Sequence, residues 1–366
     1  FGVINPISYI YLSRHISQNW SNISSVLKLT SCTGARPKFP ASTQGGRAIT
    51  VASVASQRTA KHHLASAYPV IASLDINRFY GSIYTHSIPW APLGKDVAKA
   101  AYANGSLKGT WSDVLDKLLM NCNQRQTIGI AIGPDTSRII SEMLLARIDK
   151  ELTAAGSGLM STQIFHNIDD YEIGSLNQSG AEDAQSVFVR TIARYELRLN
   201  DHKTSINYGI EFSPSHFQRR FDSLRLQSGV NLIEEFFDIL YREIAHNPNA
   251  NVVGYSLKRF ARPLVGNPAR SLLREYLQRL LFASPHQARW ILPILLGIYQ
   301  QVGVTAEIRR IIHWGIDTCA RRNDVGSMLW FLYASIFLSI KLTSNVTSKC
   351  LGMSNPLVDM MLYHGR

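Results

Sequence analysis

The sequence predicts an α+β protein in two parts, a mixed domain over residues 1–227 and an all-α helical-repeat domain over residues 228–366. Two observations predict this fold class. Short apolar runs, long enough for buried strands but too short for most helices, end in aspartate within the first part. After Ser228, one helical pattern follows another, and proline or glycine separates them. A chain of 366 residues can also bury two hydrophobic cores.

The strand signals lie in the first part. Residues 1–68 are rich in Ser, Thr, Ala, Gly and Pro, so we expect short strands and loops there. The apolar run 68–74 contains β-branched residues and predicts a buried strand that presents Asp75 at its carboxyl end. A second strand candidate, 163–168, also leads directly into acidic residues.

Helices are predicted in both parts by apolar residues at helical spacing. In the first part they cover 112–126, 135–153 and 181–199. In the second part they cover 232–246, 268–283, 286–302, 304–321 and 326–341. Repeated helices without a consensus indicate an irregular α-helical repeat or a bundle.

The charges are distributed unevenly along the chain. The formal net charge is +12, yet residues 1–74 contain seven Lys or Arg and no acid, while residues 75–230 contain 16 basic and 17 acidic residues. Residues 231–366 contain 15 basic and nine acidic residues. Basic flanks around a near-neutral centre are typical of proteins that hold a polyanion. Basic surfaces also bind membranes or only keep a protein soluble, so charge alone leaves these alternatives open.

Composition excludes several protein classes. With 45% hydrophobic residues, the chain is neither disordered nor fibrous. Its four cysteines have no CxxC spacing, which argues against a zinc site or a disulfide framework and favours a reducing, cytoplasmic setting. The longest apolar runs, 290–298 and 328–340, are shorter than the roughly 20 residues that span a bilayer, so no membrane segment is expected.

The acids at the two strand ends are the main chemical signal. Asp75 follows one strand candidate, and Asp169 and Asp170 follow the other. Neighbouring carboxylates raise one another's pKa unless a positive charge compensates them. Mg²⁺ or Mn²⁺ commonly does so, and a pair of ions can hold both reacting oxygens of a phosphoryl transfer. An Asp-Asp pair by itself is also typical of an ordinary turn.

Four segments, in this order along the chain, resemble motifs A to D of reverse transcriptases. They are LDINRFYGSIY at 74–84, GIAIGPDTS at 129–137, NIDD at 167–170 and LNDHKT at 199–204. With its helical second part, the chain is similar to the prokaryotic defence-associated reverse transcriptases of the abortive-infection and unknown-group type. The resemblance implies fingers and palm followed by a helical domain in place of a thumb, and a role in antiviral defence against phage.

The resemblance implies roles for residues of motif A and motif C. Asp75 and Asp169 would bind both catalytic metal ions, Mg²⁺ or Mn²⁺, and Asp170 would support them. The backbone carbonyl of Ile76 would complete the metal shell. Tyr80 occupies the position of a steric gate against the ribonucleotide 2′-hydroxyl, which implies that dNTPs are the substrates.

The remaining motifs imply further contacts to substrate. Gly129 and Gly133 would let the backbone approach the nascent base pair, and Pro134 would open the following helix, with Asp135 and Ser137 available to its first turn. Lys203 matches the lysine that is thought to donate a proton to departing pyrophosphate. The acid-free arm supplies three candidates that would grip the incoming triphosphate: Arg47, Arg58 and Lys61.

The chain departs from the family pattern in motif C, where Asn167 replaces the usual tyrosine and follows His166. A different contact with the primer is therefore expected. Some defence relatives oligomerise and make DNA without a template, primed from the protein itself. The template, whether RNA, a non-coding RNA or none, stays open here, as does the priming group.

Two alternatives to polymerisation remain. The palm could serve as a nucleic-acid-binding defence scaffold or sensor that does not polymerise. The helical part could be a ribonuclease of the HEPN kind, but Arg242…His246 and Arg309…His313 have three intervening residues instead of four to six. Apolar helices with Trp290, Trp314 and Trp330, which we expect to be exposed, predict a homo-oligomer.

Overall fold

The computed structural model describes residues 4–39, 48–154, 156–209, 220–221, 224, 230–247 and 251–364. The chain divides into two compact units, Phe1–Pro214 and Ser215–Arg366, each with its own hydrophobic core. The first unit is mixed α/β and mostly helical, with a small antiparallel sheet, and the described part of the second is all helical. The second unit begins before residue 228, since Phe221 already belongs to its core.

The first unit combines helices with the four strands. In chain order its elements are α1 (Pro6–Gln18), α2 (Trp20–Leu27), α3 (Val54–Ala67), β1 (Val70–Asp75), α4 (Phe79–Ser82), α5 (Trp90–Leu93), α6 (Lys95–Ala103), α7 (Trp111–Cys122), α8 (Asp135–Leu152), β2 (Ile164–Asn167), β3 (Asp170–Ser175), α9 (Gln178–Ala193) and β4 (Ser205–Tyr208). The predicted helices α7, α8 and α9 are confirmed, although α9 ends before residue 199.

The arm before residue 68 forms the helices α1, α2 and α3, so the expectation of short strands there was wrong, whereas residues 28–39 and 48–53 lie outside helices, as expected of loops. Helix α1 begins after Asn5, whose side chain accepts a hydrogen bond from the amide of Ile7 (2.9 Å). Leu12 and Ile16, four residues apart, are buried on the inner face of α1. Serine-rich and alanine-rich stretches form helices readily once a cap and a few apolar anchors are present, which the composition did not reveal.

The four strands form one antiparallel sheet in the order β2-β3-β1-β4. Strands β1 and β2 confirm the two predicted strands. Strand β3, which was not predicted, pairs with both of them and begins at Asp170. In the β1–β3 register Asp75 lies directly opposite Asp170.

The two faces of the sheet have different surroundings because successive side chains of a strand point to opposite faces. Val70, Ala72 and Leu74 of β1 belong to the main core of the first unit. Ile71, on the other face, packs with Leu64 of α3. Helix α3 therefore covers the face to which alternation assigns Asp75.

The described part of the second unit is a succession of helices around one core. They are α10 (Val230–His246), α11 (Val252–Val265), α12 (Arg270–Ala283), α13 (Ala288–Val302), α14 (Ala306–Arg322), α15 (Val325–Phe337), α16 (Ser344–Leu351) and α17 (Pro356–His364). Helices α11, α16 and α17 were not predicted. Helix α11 contains Pro263, which lies in its last turn.

The three tryptophans of the second unit are half-buried, so the expectation that they are exposed was wrong. Trp290 and Trp330 pack against the core. Trp314 packs edge-on against Phe282, with 4.7 Å between the ring centroids. None of the helices in the described part of the chain is both long and apolar enough to cross a bilayer.

Candidate functional site

The three predicted acids come together at one end of the sheet. Asp75, the last residue of β1, is 4% exposed and faces Asp170 across the strand pair. Asp169 lies in the two-residue turn between β2 and β3. Its backbone oxygen accepts a hydrogen bond from the amide of Ile76 (3.2 Å). The main chain thus ties the end of β1 to the turn that carries Asp169.

The turn between β2 and β3 is strained at Ile168, which has φ +60°. Hairpin turns of two residues favour a positive φ at the first central residue, but a β-branched side chain rarely adopts it. Such strain costs about 1–3 kcal/mol and concentrates at functional sites. The strain at Ile168 sets the geometry of the adjacent Asp169 and Asp170.

Asp75 is held by two residues from the segment before β4. Asn200 donates from Nδ2 to Asp75 Oδ1 (2.7 Å), and Lys203 donates from Nζ to Asp75 Oδ2 (2.9 Å). Partial burial alone would lower the pKa of Lys203, but the hydrogen bond and charge of Asp75 raise it. Lys203 therefore lies at the acid cluster, as the motif predicts. The sequence did not single out Asn200, although Asn200 lies three residues before Lys203 in the same motif.

Two carboxyl groups of the cluster, those of Asp169 and Asp170, have a raised pKa. Burial and then the charge of Asp75 raise the pKa of Asp169, although Lys203 opposes this. Withdrawal of its carboxyl from water, the charge of Asp169 and a hydrogen bond shared with Asp75 raise the pKa of Asp170 to about 7. Because Asp170 is otherwise an exposed residue, we regard the crowding of carboxyl groups as the decisive cause. The cluster carries more negative charge than its neighbours neutralise.

The donor atoms of this cluster suit a divalent cation. Asp75, Asp169, Asp170 and the carbonyl of Ile76 are hard oxygen ligands of the kind that Mg²⁺ and Mn²⁺ prefer. Within the described residues, however, no three His, Cys, Asp or Glu side chains are grouped as a metal site. Both carboxylate oxygens of Asp75 are bound to Asn200 and Lys203 instead. The chemistry of the cluster fits a metal site in which Asp75 must exchange the lysine for the ion.

Tyr80 links the segment after Asp75 to helix α8. Its hydroxyl accepts a hydrogen bond from Ser141 Oγ (3.4 Å), and its backbone oxygen accepts one from the amide of Ile130 (2.8 Å). Burial raises the pKa of Tyr80, so the phenol stays neutral. The ring is half-buried between the two motifs to which the sequence assigned the nucleotide.

The glycines before α8 have backbones that require glycine. Gly129 has φ +90°, and a Cβ there would lie 3.2 Å from the backbone oxygen of Gly81. Gly133 has φ +120°. Pro134 opens α8 as its N-cap residue in an extended conformation, and the helix begins at Asp135, as predicted.

The three candidate triphosphate ligands of the arm lie in different surroundings. Arg47 lies outside the described residues. Lys61, on α3, donates from Nζ to Glu172 Oε1 (2.7 Å), and Ser73 Oγ donates to Glu172 Oε2 (2.5 Å). Lys61 thus lies beside the acid cluster, where it lowers the pKa of Asp170.

Arg58 is half-buried one turn before Lys61 on α3. Along this helix, Tyr68 contacts Gly174 of β3, and Lys61 contacts Glu172. From the end of α3 back toward its beginning, the helix therefore runs beside β3 from Gly174 toward Asp170. Arg58, one turn before Lys61, lies toward the Asp170 end of the strand.

A buried network beneath the strained turn was not predicted. His166, on β2, is fully buried, and its Nε2 lies 2.9 Å from Asp149 Oδ2 while its Nδ1 lies 3.0 Å from the carbonyl oxygen of Ile168. Tyr171 donates its hydroxyl to Asp149 Oδ1 (2.8 Å). Since both ring nitrogens face acceptors, His166 must donate from both and be charged. Its pKa is raised because the Asp149 carboxylate outweighs the effect of burial.

His166 supports the acid cluster indirectly, since it holds the carbonyl of the strained residue next to Asp169. The sequence marked His166 only as the neighbour of an unusual Asn167. Its partner Asp149 comes from α8, far away in sequence. No spacing in the sequence announces such a contact.

In the Arg–His pairs considered for ribonuclease activity, each histidine contacts a backbone carbonyl oxygen. His246 Nδ1 lies 2.7 Å from the carbonyl oxygen of Arg242 within α10. His313 Nε2 lies 3.3 Å from the carbonyl oxygen of Lys341. These contacts are those expected of helix-surface histidines.

No model of a known protein family matches this chain, and no curated protein matches it as a relative. The function must therefore be inferred from the four motifs and from the geometry of the acid cluster.

Proposed function

We propose that the first unit is the fingers and palm of a reverse-transcriptase-type DNA polymerase, which transfers nucleotides from dNTPs with Mg²⁺ or Mn²⁺ in antiviral defence against phage. The observation that supports this most is the β1–β3 register, which sets Asp75 opposite Asp170 beside Asp169. Three mutually repelling carboxyl groups at the end of a sheet provide the donor set for a two-ion phosphoryl transfer.

The residues would share the work as follows. Asp75, Asp169 and the carbonyl of Ile76 would hold the ions, with Asp170 in support, and the ions would neutralise charge on the attacking and leaving oxygens. Lys203, whose raised pKa keeps it charged, can give a proton from Nζ to the departing pyrophosphate. Asn200 keeps Asp75 oriented when Lys203 turns to the phosphate.

The substrate contacts follow from the surrounding segments. Tyr80, fixed between Ile130 and Ser141, is suited to exclude a 2′-hydroxyl and so to favour dNTPs. Arg58 and Lys61 bring positive charge from α3 toward the acid cluster. DNA product and an RNA template or non-coding RNA are the nucleic-acid partners that this activity implies, and a homo-oligomer is the assembly we propose.

Incubation of the purified chain with labelled dNTPs, with and without an RNA template, tests this function. We expect a labelled polymer in Mg²⁺ or Mn²⁺ and none in EDTA. Product lost on phenol extraction and recovered after protease treatment would identify priming from the protein. Absence of incorporation in either ion, with primed template and without, would contradict the proposal.

The second candidate is a nucleic-acid-binding defence scaffold or sensor with a non-polymerising palm. The ion pair between Lys203 and Asp75 favours a scaffold, since Lys203 occupies a carboxylate oxygen that a metal ion would need as a ligand. A scaffold would bind nucleic acid without incorporating dNTPs, and Asp75→Asn would leave this binding unchanged.

A further inference from the structure

A second concave site lies in the first unit, between the segment that follows Asp75 and helices α5, α6 and α7. The cavity has a volume of about 1130 Å³, which is ample for a nucleotide. Its lining, within the described residues, includes none of the residues assigned above to metal, dNTP or proton transfer. It is therefore a separate site, whose chemistry depends on its own side chains.

Aromatic rings line one part of this cavity. Tyr84 is half-buried and Tyr102 is 78% exposed. Trp90 is only 6% exposed, and Lys95 Nζ lies 4.6 Å from its ring centroid, so the accessible rings are those of the two tyrosines. Flat aromatic surfaces of this kind stack with nucleobases, and the stacking tolerates any base.

Positive charges line the same cavity. Arg78, Lys99 and Arg198 contribute them, and the lining also contains the Lys117–Asp113 ion pair and the acids Asp116 and Glu196. Lys99 Nζ lies 5.9 Å from the ring centroid of Trp90. Arg78, Lys99 and Arg198 take part in none of the ion pairs found among the described residues. These three cations are therefore available to an anionic ligand.

A buried carboxylate provides the polar contact. Asp116 lines the cavity with a side chain that is 8% exposed, and its Oδ2 lies 2.5 Å from His86 Nδ1. Its other oxygen, Oδ1, is buried without a hydrogen-bond partner in the described part of the chain. Buried acceptors are nearly always paired in folded proteins, so this oxygen requires a donor that the described residues do not provide, and a ligand in the cavity can supply one. The exocyclic amino group of a base is such a donor.

We propose that this cavity is a second nucleotide-binding site, which takes a nucleoside phosphate whose base carries an amino group. The base stacks on the accessible rings of Tyr84 and Tyr102, its amino group donates to Asp116, and its phosphate pairs with Lys99 and Arg198. The same chemistry is present in a free mononucleotide and in one unit of a single strand. This site does not depend on the proposed polymerase activity.

Calorimetric titration with AMP and with a short oligo(dA) strand, in EDTA, tests the proposal with the full chain. AMP is not a polymerase substrate, and EDTA removes ion-dependent binding at the acid cluster. We expect AMP to bind, and Asp116→Asn and the double variant Lys99→Ala/Arg198→Ala to weaken binding at least tenfold. Lys150→Ala, which removes an exposed lysine elsewhere on the same unit, should bind like the wild type.

The outcomes separate the two sources of ligand. Binding of AMP assigns the site to free nucleotides, and binding of oligo(dA) alone, with the same sensitivity to the variants, assigns it to a strand. The proposal is overturned if neither ligand binds, or if both variants, folded by circular dichroism, bind like the wild type. Asp169→Asn should bind AMP normally, so failure of the polymerase proposal would leave this result unaffected.

Discussion

Lys203 donates a hydrogen bond to Asp75, and in the proposed reaction it would also give a proton to pyrophosphate. Replacement by alanine removes the proton donor but keeps all three acids. We therefore expect Lys203→Ala to lower dNTP incorporation by about 10²-fold, within the range of general acid catalysis. Nucleic-acid binding should be unchanged, and Lys108→Ala, at an exposed lysine, serves as the control. Normal incorporation by Lys203→Ala would exclude this role.

His166 stabilises the fold through a buried charge, which makes its contribution depend on pH. Its folded pKa is raised above the ordinary 6.5, so the stabilisation is complete below pH 6.5 and is lost as the pH rises through the folded pKa. Loss of one partner of a buried pair costs about 3–5 kcal/mol. We expect His166→Gln to lower the free energy of unfolding by this order at low pH, and by less at high pH.

Urea unfolding of wild type and His166→Gln, from below pH 6.5 to above the folded pKa of His166, measures the difference in their free energies of unfolding. His62→Gln, at an exposed histidine on α3, is the matched control and should change little. A difference that grows as the pH rises would show that His166 is not held in its charged form.

At the scale of elements, the approach of the segment after β1 to the segment before α8 depends on one glycine. Gly129 has a positive φ and would place a Cβ against Gly81. We expect Gly129→Ala to lower the free energy of unfolding by about 1–2 kcal/mol, because the left-handed backbone disfavours a side chain. Gly81→Ala is the control, since its Cβ would meet nothing within 4 Å. Equal stability of the two variants in urea unfolding would refute this explanation.

The elements also show which parts of the fold could be predicted from the sequence. Strand β1 and the acids at its end could be predicted because a short β-branched run leads straight to Asp75. Helix α3 could not, since it buries few apolar side chains and is polar over most of its surface. The network of His166 and Asp149 was beyond prediction because it joins β2 to α8 through tertiary packing alone.

At the scale of the whole molecule, the acid-free arm contains helices, and one of its lysines, Lys61, is paired with Glu172 beside the acid cluster. The near-neutral middle contains that cluster, and the whole chain has a net charge of +12, which favours binding of a polyanion. Because binding of a strand releases counter-ions, we expect the affinity for single-stranded nucleic acid to fall on the order of tenfold or more from about 50 to 200 mM salt. Fluorescence anisotropy measures this, and an affinity independent of salt would argue against electrostatic binding.

The most direct test of the central claim is the rate of dNTP incorporation in Mg²⁺ by wild type, Asp75→Asn, Asp169→Asn and Asp183→Asn. Asp183 is exposed on α9 and controls for loss of one acid. We predict that wild type and Asp183→Asn polymerise, while the other two variants, still folded, lose about 10³-fold or more of the rate. Incorporation at the wild-type rate by folded Asp75→Asn or Asp169→Asn would contradict the assignment of this cluster as the catalytic site.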